Sequence, residues 1–191
     1  MVFDVPRGFR LTGLHCGIKS EAGRPDLTLI VTDGPTTAAG VYTQNRVVAA
    51  PVALDRERTP GDSIRAVVIN SGNANACTGN RGLDDAREMA RLAANTCHAT
   101  PEQALVLSTG VIGEFLPLDV IARGIAAAAE NLGEDAESLN AAARGMMTTD
   151  TVEKLAGRKV RLSSGDVTLT GLAKGAAMIG PNMATMLGVV L

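Results

Sequence analysis

The spacing of hydrophobic residues changes twice along this chain, and that change limits the folds it can adopt. Residues 26–33, 64–70 and 104–109 are short apolar runs bounded by Gly, Pro or Asn, as is typical of buried strands. From Leu83 to Cys97 the apolar residues recur at helical intervals, which predicts a helix with one buried face. Strands, then helices, then strands predict an α+β fold with helices layered on stacked β-sheets.

The same reasoning assigns the remaining elements, which are strands at 39–43, 51–55, 159–164, 167–174 and 185–191 and helices that begin at Pro117 and near Asp135. Gly165-Asp166 separates two of these strands and favours a hairpin turn. No shift in composition marks a boundary, so residues 1–191 are predicted to form a single domain. We expect another polypeptide, or the rest of a longer precursor, to cover the apolar strand at 185–191.

Composition excludes several classes of function. The net charge is −2 and aromatic residues make up 2%, so neither a basic surface nor a stacking platform for nucleic acid is expected. No apolar run reaches the roughly 18 residues of a membrane span, and the N-terminal segment lacks the apolar core of a secretory signal. We therefore expect a cytoplasmic protein that contacts neither nucleic acid nor membrane.

The cysteines and histidines are sparse and lack the spacing of a metal site. The chain has three cysteines without a C-x-x-C pair and two histidines, so reduced thiols and no bound metal are expected. His15 and Cys16 are adjacent in sequence, and packing is expected of them rather than a catalytic dyad. Cys77 has no neighbouring base and is predicted to be a packed thiol.

Two glycine-containing loops follow predicted strands. Residues 70–79 (NSGNANACTG) predict a tight, irregular loop that either satisfies its own backbone or binds a ligand. Residues 108–113 (STGVIG) predict either a simple turn or an exit that aims backbone N–H groups and a hydroxyl at one point, as an oxyanion hole requires. Ser108 is a weaker candidate nucleophile because the G-x-S-x-G pattern is absent.

Two later segments combine hydroxyls with charge. Residues 146–151 (MMTTDT) place three threonines around one carboxylate, as in a turn or a substrate pocket. In residues 174–187 a lysine and a threonine lie among Gly, Pro and apolar residues, without the Gly-Lys-Ser/Thr of a phosphate loop. Thr185 is either structural or a nucleophile whose own α-amine, freed by cleavage of the preceding peptide bond, serves as its base.

Together these segments resemble the glutamate N-acetyltransferase family, also called ornithine acetyltransferase. The matching stretches follow the family's order over nearly the whole chain and are PRGFRLTGLHCGIK (6–19), PDLTLIVTD (25–33), VYTQNRVVAAPV (41–52), VVINSGNANACTG (67–79), LVLSTGVIG (105–113), MMTTDT (146–151) and KGAAMIGPNMATML (174–187). One departure is Ala177, which stands where the family usually has a second glycine.

The resemblance implies a precursor that cuts itself between Ala184 and Thr185, which makes Thr185 the nucleophile at the start of a β chain. It also implies that Thr109 and Gly110 form the oxyanion pair and that Thr148 and Lys174, with Thr185, bind the amino-acid substrate. The implied partner is the β chain from the same precursor, in an α2β2 heterotetramer. On this basis residues 1–191 are the α-chain region, extended by six residues past Thr185, with the β chain largely absent.

The implied reaction carries an acetyl group from N2-acetyl-L-ornithine to L-glutamate through an acetyl-threonine enzyme, as part of arginine biosynthesis. It needs neither coenzyme nor metal, although some family members also accept acetyl-coenzyme A as a co-substrate. One alternative is a related N-terminal-nucleophile amidase or aminopeptidase, in which water takes the acyl group. Another is a non-catalytic binding module that keeps the same scaffold.

Overall fold

A four-stranded β-sheet lies at the centre of the computed structural model, which describes residues 3–176 and 186–191. Its strands are β1 (Phe9–Leu14), β2 (Leu27–Ala38), β3 (Gly61–Asn70) and β4 (Ala104–Ser108). They lie in that order, and the β1–β2 and β2–β3 pairs are antiparallel whereas β3 and β4 are parallel. The parallel pair ends with Asn70 opposite Ser108, so the loops that follow both strands begin side by side.

The apolar side chains of these strands point alternately to the two faces of the sheet, so each face needs a cover. Three helices cover one of them. They are α1 (Ala50–Arg58), α2 (Gly79–Asn95) and α3 (Leu118–Glu130). Leu29 and Val68 of the sheet pack with Met89 of α2 and Ile121 of α3 in one buried cluster. A short 3₁₀-helix, Pro101–Gln103, leads into β4.

The opposite face carries α4 (Ala136–Gly145) and a second sheet. The second sheet is antiparallel and consists of β5 (Lys154–Leu162), β6 (Gly165–Lys174) and β7 (Leu187–Val190). Ile30 and Ile69 of the first sheet, Leu139 of α4 and Leu172 of β6 are all buried in one cluster. The fold is therefore α+β with helices and stacked sheets, as the sequence predicts.

Helix α1 corrects one prediction, since residues 51–55 were expected to be a strand. Pro51 lies in the first turn of the helix, where its missing N–H costs no hydrogen bond. The Asp55 carboxylate accepts the Val106 N–H at 3.0 Å, and Arg58 donates to the Ala104 carbonyl, so the helix covers the outer edge of β4. Burial raises the pKa of Asp55 to about 7. This tertiary role for Asp55 has no local sequence signal.

One further strand prediction and one turn prediction need correction, and one strand was missed. Residues 39–43 lie outside any strand, because the Tyr42 hydroxyl bonds to Thr59 and its ring packs under Arg56. The hairpin between β5 and β6 forms, but its turn is Ser163-Ser164, and Gly165 already pairs with Leu162. Strand β1 had not been predicted.

The other predicted elements are confirmed, and they are the strands over 26–33, 64–70, 104–109, 159–164 and 167–174, the helix from Leu83, the helix after Pro117 and the helix after Asp135. The strand predicted at 185–191 is present as β7 within its described part. Across residues 3–176 and 186–191, no helix is long and apolar enough to cross a membrane.

Close packing of α4 on β1 depends on Gly13. A Cβ at this position would lie 1.9 Å from the Ala141 carbonyl oxygen of α4. We expect Gly13→Ala to lower the free energy of unfolding by about 1–3 kcal/mol, because helix and strand must separate. Urea denaturation of the variant measures this loss. Gly34→Ala is the matched control, since no atom lies within 4 Å of the added Cβ; equal stability of the two variants would contradict the packing argument.

Candidate active site

A cavity of about 590 Å³ opens beside the ends of β3 and β4. Its wall is built from residues in five stretches of the chain, which are 18–24, 71–72, 109–112, 148–149 and 174–176. Four of the residues singled out in the sequence line it together: Thr109, Gly110, Thr148 and Lys174. Segments far apart in sequence are thus brought to one place by the parallel strand pair and by the end of β6.

The Asn70 side chain and backbone join the ends of β3 and β4. Its side-chain amide donates to Ser108 Oγ at 2.7 Å, and its side-chain oxygen accepts the Asn73 N–H at 3.1 Å. The Thr109 N–H donates to the Asn70 carbonyl at 3.0 Å. Because Ser108 Oγ accepts the Asn70 amide, Ser108 supports the loops and is not an exposed nucleophile.

The other asparagines of loop 70–79 also bond to the protein itself. Asn73 donates to the carbonyls of Glu114 and Phe115, and its side-chain oxygen accepts the Asn75 N–H at 2.7 Å. Asn75 donates to the Gly82 carbonyl at 2.7 Å. Of the two interpretations left open by the sequence, these contacts favour a loop whose amides bond to the backbone of the protein rather than to a ligand. Of its residues, only Ser71 and Gly72 reach the cavity wall.

Position 110 requires a glycine. Its φ is +129°, and a Cβ there would lie 2.4 Å from the Gly72 carbonyl carbon. Within the part of the chain that the structure describes, no hydrogen bond engages the Gly110 N–H. Among the described residues, this donor on the cavity wall has no acceptor.

Thr109 contributes a second donor. It is buried, and its Oγ1 accepts a hydrogen bond from Lys174 Nζ at 3.2 Å. An ammonium that donates to a hydroxyl oxygen polarises it and leaves the hydroxyl proton to bond elsewhere. A hydroxyl and a backbone N–H are the two types of donor that oxyanion holes use, and Thr109 and Gly110 place one of each on this cavity wall.

Lys174 ends β6 and is only 4% exposed. Burial lowers its pKa, and the nearby Asp150 carboxylate opposes that shift. Asp150 also accepts the backbone N–H groups of Thr148 and Gly175, at 3.2 and 2.8 Å. One buried carboxylate thus holds the backbone of Thr148 and of Gly175, the residue that follows Lys174.

Three charged residues of the cavity wall were not predicted from the sequence: Lys19, Glu21 and Arg24. Lys19 Nζ donates to the Pro25 carbonyl, Ser71 Oγ and the Met147 carbonyl at 2.7, 2.9 and 2.7 Å. Burial lowers the pKa of Lys19 to about 8. The available signal was its position at the end of the stretch 6–19, one of those that carry the family resemblance.

Arg24 and Glu21 form an ion pair at 2.9 Å, and Arg24 also donates to the Thr148 carbonyl. The buried Asp26 accepts the N–H groups of Cys16, Gly17 and Lys19, which fixes the start of this segment. Burial alone would raise the pKa of Asp26, but these hydrogen bonds lower it below its ordinary value.

The thiols and histidine near the site form no catalytic dyad. Burial and the Asp26 charge raise the pKa of Cys16 to about 12, so its thiol stays protonated. His15 Nδ1 lies 2.8 Å from the Arg24 carbonyl and serves this turn. Cys77 is exposed, which corrects the prediction that it is packed. Within residues 3–176 and 186–191, no three His, Cys, Asp or Glu side chains could hold a metal ion together.

Ala177, Ala184 and Thr185 lie outside the described residues. The proposed scission site and nucleophile therefore remain predictions from the sequence. Ala176, the last residue described before them, is part of the cavity wall.

Comparison with known proteins identifies the family. The model of the ArgJ family matches residues 10–191. The chain belongs to the ArgJ family. Similar curated relatives are the arginine biosynthesis bifunctional proteins ArgJ of Rhodopirellula baltica and Geobacter sulfurreducens, which are 46% and 50% identical over 98% and 97% of this chain. The chain spans about half the length of these ArgJ relatives, 45% and 46%.

Two solved ArgJ-type structures share the fold. The arginine biosynthesis bifunctional protein of Bacillus halodurans is 43% identical with a TM-score of 0.84, over 96% of this chain and 94% of that one. The ornithine acetyltransferase of Mycobacterium tuberculosis, solved in complex with ornithine, is 36% identical with a TM-score of 0.86, over 97% and 96% of the two chains.

The thiols give a first test of the site's electrostatics. We expect iodoacetamide at pH 8 to modify Cys77 at least about tenfold faster than Cys16, because the Cys16 thiol ionises only near pH 12. Peptide mass spectrometry over time measures both rates in one sample. Modification of Cys16 at the rate of Cys77 would contradict the buried, carboxylate-paired environment described for it.

Proposed function

We propose that the ArgJ protein to which this chain belongs transfers the acetyl group of N2-acetyl-L-ornithine to L-glutamate in arginine biosynthesis. The observation that carries the proposal is the meeting of Thr109, Gly110, Thr148 and Lys174 on one cavity. The names of the curated relatives support the pathway. The ornithine held by the M. tuberculosis protein supports an amino-acid substrate.

The first half-reaction acylates Thr185. Cleavage between Ala184 and Thr185 frees the Thr185 α-amine, whose ordinary pKa of about 7.7–8.0 allows it to act as a base at neutral pH. Thr185 Oγ attacks the acetyl carbonyl carbon while the amine takes the hydroxyl proton. The carbonyl oxygen becomes an oxyanion that accepts hydrogen bonds from the Thr109 hydroxyl and the Gly110 N–H. The C–N bond then breaks, and the amine returns the proton to the departing ornithine nitrogen.

The second half-reaction reverses these steps with a new amine. The glutamate nitrogen attacks the acetyl-threonine ester, the same donors hold the oxyanion, and N-acetyl-L-glutamate leaves as Thr185 regains its proton. One oxyanion hole and one nucleophile serve both directions because both reactions pass through a tetrahedral intermediate. Neither half-reaction needs a metal or a coenzyme, and acetyl-coenzyme A would enter only as an alternative acetyl donor.

The charges on the cavity wall fit two amino acids in turn. The Lys174 ammonium offers an ionic contact for the α-carboxylate that both substrates carry, beside Thr148. The Glu21–Arg24 pair places a carboxylate and a guanidinium on the same wall. Glu21 is thereby suited to the side-chain ammonium of ornithine, and Arg24 to the side-chain carboxylate of glutamate.

The assembly completes the proposal. The β chain beginning at Thr185 supplies the nucleophile, and two α and two β chains form the heterotetramer in the cytoplasm.

The alternative amidase or aminopeptidase differs in a measurable way, because water would take the acyl group. Acetate released in the absence of glutamate at the full transfer rate would favour that hydrolase over the transferase.

Thr185→Ala tests the nucleophile. We expect it to abolish both chain cleavage and ornithine release, because the variant lacks the hydroxyl that attacks in each step. Denaturing gel electrophoresis follows cleavage, and a coupled assay follows ornithine. Thr151→Ala, which removes a threonine outside the cavity lining, is the control and should cleave normally. Turnover retained in Thr185→Ala would refute the proposed role.

Glu21→Gln tests the charge argument. In a double-displacement reaction, kcat/KM for each substrate reports its own half-reaction. We expect Glu21→Gln to lower kcat/KM for acetylornithine about tenfold, the loss of one charge-assisted contact, while kcat/KM for glutamate changes less than about twofold. The matched control is Glu88→Gln, which breaks the equally spaced Glu88–Arg91 pair of α2. Equal losses for both substrates would contradict the assignment.

A further inference from the structure

We propose that Asp150 is a positioning residue that holds Thr148 and the end of β6 in their binding geometry, and that Asp150 and Lys154 act in opposite directions on the Lys174 ammonium. This inference rests on the proposed function, because it assigns Lys174 to the substrate carboxylate. Asp150 itself is not among the residues of the cavity wall, so it acts through its neighbours.

The contacts of Asp150 carry the first part of the inference. Its side chain is 0% exposed, and both oxygens are engaged by groups from different segments. Oδ2 accepts the Thr148 N–H, whereas Oδ1 accepts the Gly175 N–H and the Lys154 ammonium. Two of these three donors are the backbone of a cavity-wall residue and of the residue next to Lys174.

Asp150 joins two segments that are far apart in the sequence. Thr148 follows α4, whereas Lys174 ends β6, and the two are connected through one carboxylate. Gly175 adopts a φ of +156°, and its N–H is buried, so loss of the acceptor would leave that donor without a partner. Asp150 therefore sets the distance between the two candidate substrate-binding residues.

The charges around Lys174 carry the second part. Lys174 lies between Ala173, which pairs with Lys154 across β5 and β6, and Gly175, whose N–H donates to Asp150, so both charges lie beside it. Lys19 on the same cavity wall is a further cation that acts on it. Burial lowers the pKa of Lys174, Asp150 raises it and Lys154 lowers it further. Burial alone would raise the pKa of Asp150, but hydrogen bonds from Lys154, Gly175 and Thr148 outweigh it and lower this pKa to about 2. Asp150 thus keeps Lys174 charged, and able to bind a carboxylate, to higher pH.

The sign of each effect makes the inference testable. A charged Lys174 is needed for substrate binding, so kcat/KM for acetylornithine falls on the alkaline side as Lys174 loses its proton. Neutralising Asp150 should move that alkaline limb to lower pH, and neutralising Lys154 should move it to higher pH. A purely structural ion pair predicts the same direction for both variants, because each variant breaks the same Asp150–Lys154 contact.

The experiment compares Asp150→Asn, Lys154→Met and the unmodified protein, each as the full precursor-derived enzyme. We expect the alkaline limb to move down by about half a pH unit or more in Asp150→Asn and up by a similar amount in Lys154→Met. KM for acetylornithine should also rise about tenfold in Asp150→Asn. Lys159→Met removes an exposed lysine that pairs with Asp4 on the neighbouring β5 surface and should leave the limb in place.

Shifts in the same direction, or no shift in either variant, would overturn the inference. If Asp150→Asn does not fold, Lys154→Met is sufficient by itself. An unmoved alkaline limb in Lys154→Met would reject the electrostatic role. Ornithine binding is measured by calorimetry over the same pH range. If the unmodified protein binds ornithine but transfers no acetyl group, the proposed function is refuted, and the pH dependence of binding still tests the role of Lys174. If it neither binds ornithine nor transfers acetyl, both the proposed function and this inference are overturned.

Discussion

The parallel pairing of β3 with β4 determines where the cavity forms. Because both strands end at the same edge, the loops after Asn70 and Ser108 start next to each other, and the Asn70 side chain bonds across the gap. Gly110 then packs against the Gly72 backbone so closely that no side chain fits. This contact leaves the Gly110 N–H and the Thr109 hydroxyl as neighbouring donors, on which the proposed acyl chemistry depends.

Charge gives the cavity its second property. Lys19, Arg24 and Lys174 outnumber the single carboxylate of Glu21 on the described wall, which suits the carboxylate substrates of the proposed reaction. Burial lowers the pKa of both lysines, and the neighbouring Asp26 and Asp150 carboxylates oppose this. In the role proposed for Asp150, a buried acid outside the cavity holds the backbone of Thr148 and Gly175 and also supports the charge of Lys174.

Sequence reasoning reached the layered α+β fold because long periodic segments dominate it, such as the helix from Leu83 and the strand over 64–70. It failed where tertiary contacts outweigh local pattern, as at α1, where the Asp55 carboxylate serves the edge of β4. Thr109, Gly110, Thr148 and Lys174 were found through the family resemblance, and the structure brings them together. Lys19 and Arg24 were missed because lone cations in a loop form no local pattern. Lys19 had only its place in a family-like stretch as a signal, and only the folded chain places both residues on the cavity.

The central claim is that the cavity stabilises the formation of an acetyl ester on Thr185. Rapid mixing of the enzyme with acetylornithine, without glutamate, followed by peptide mass spectrometry, tests it most directly. The account predicts one added acetyl group on the peptide that begins with Thr185, and its loss when glutamate is supplied. An acetyl group on another residue, or full transfer with no acetylated enzyme at any time, would contradict it.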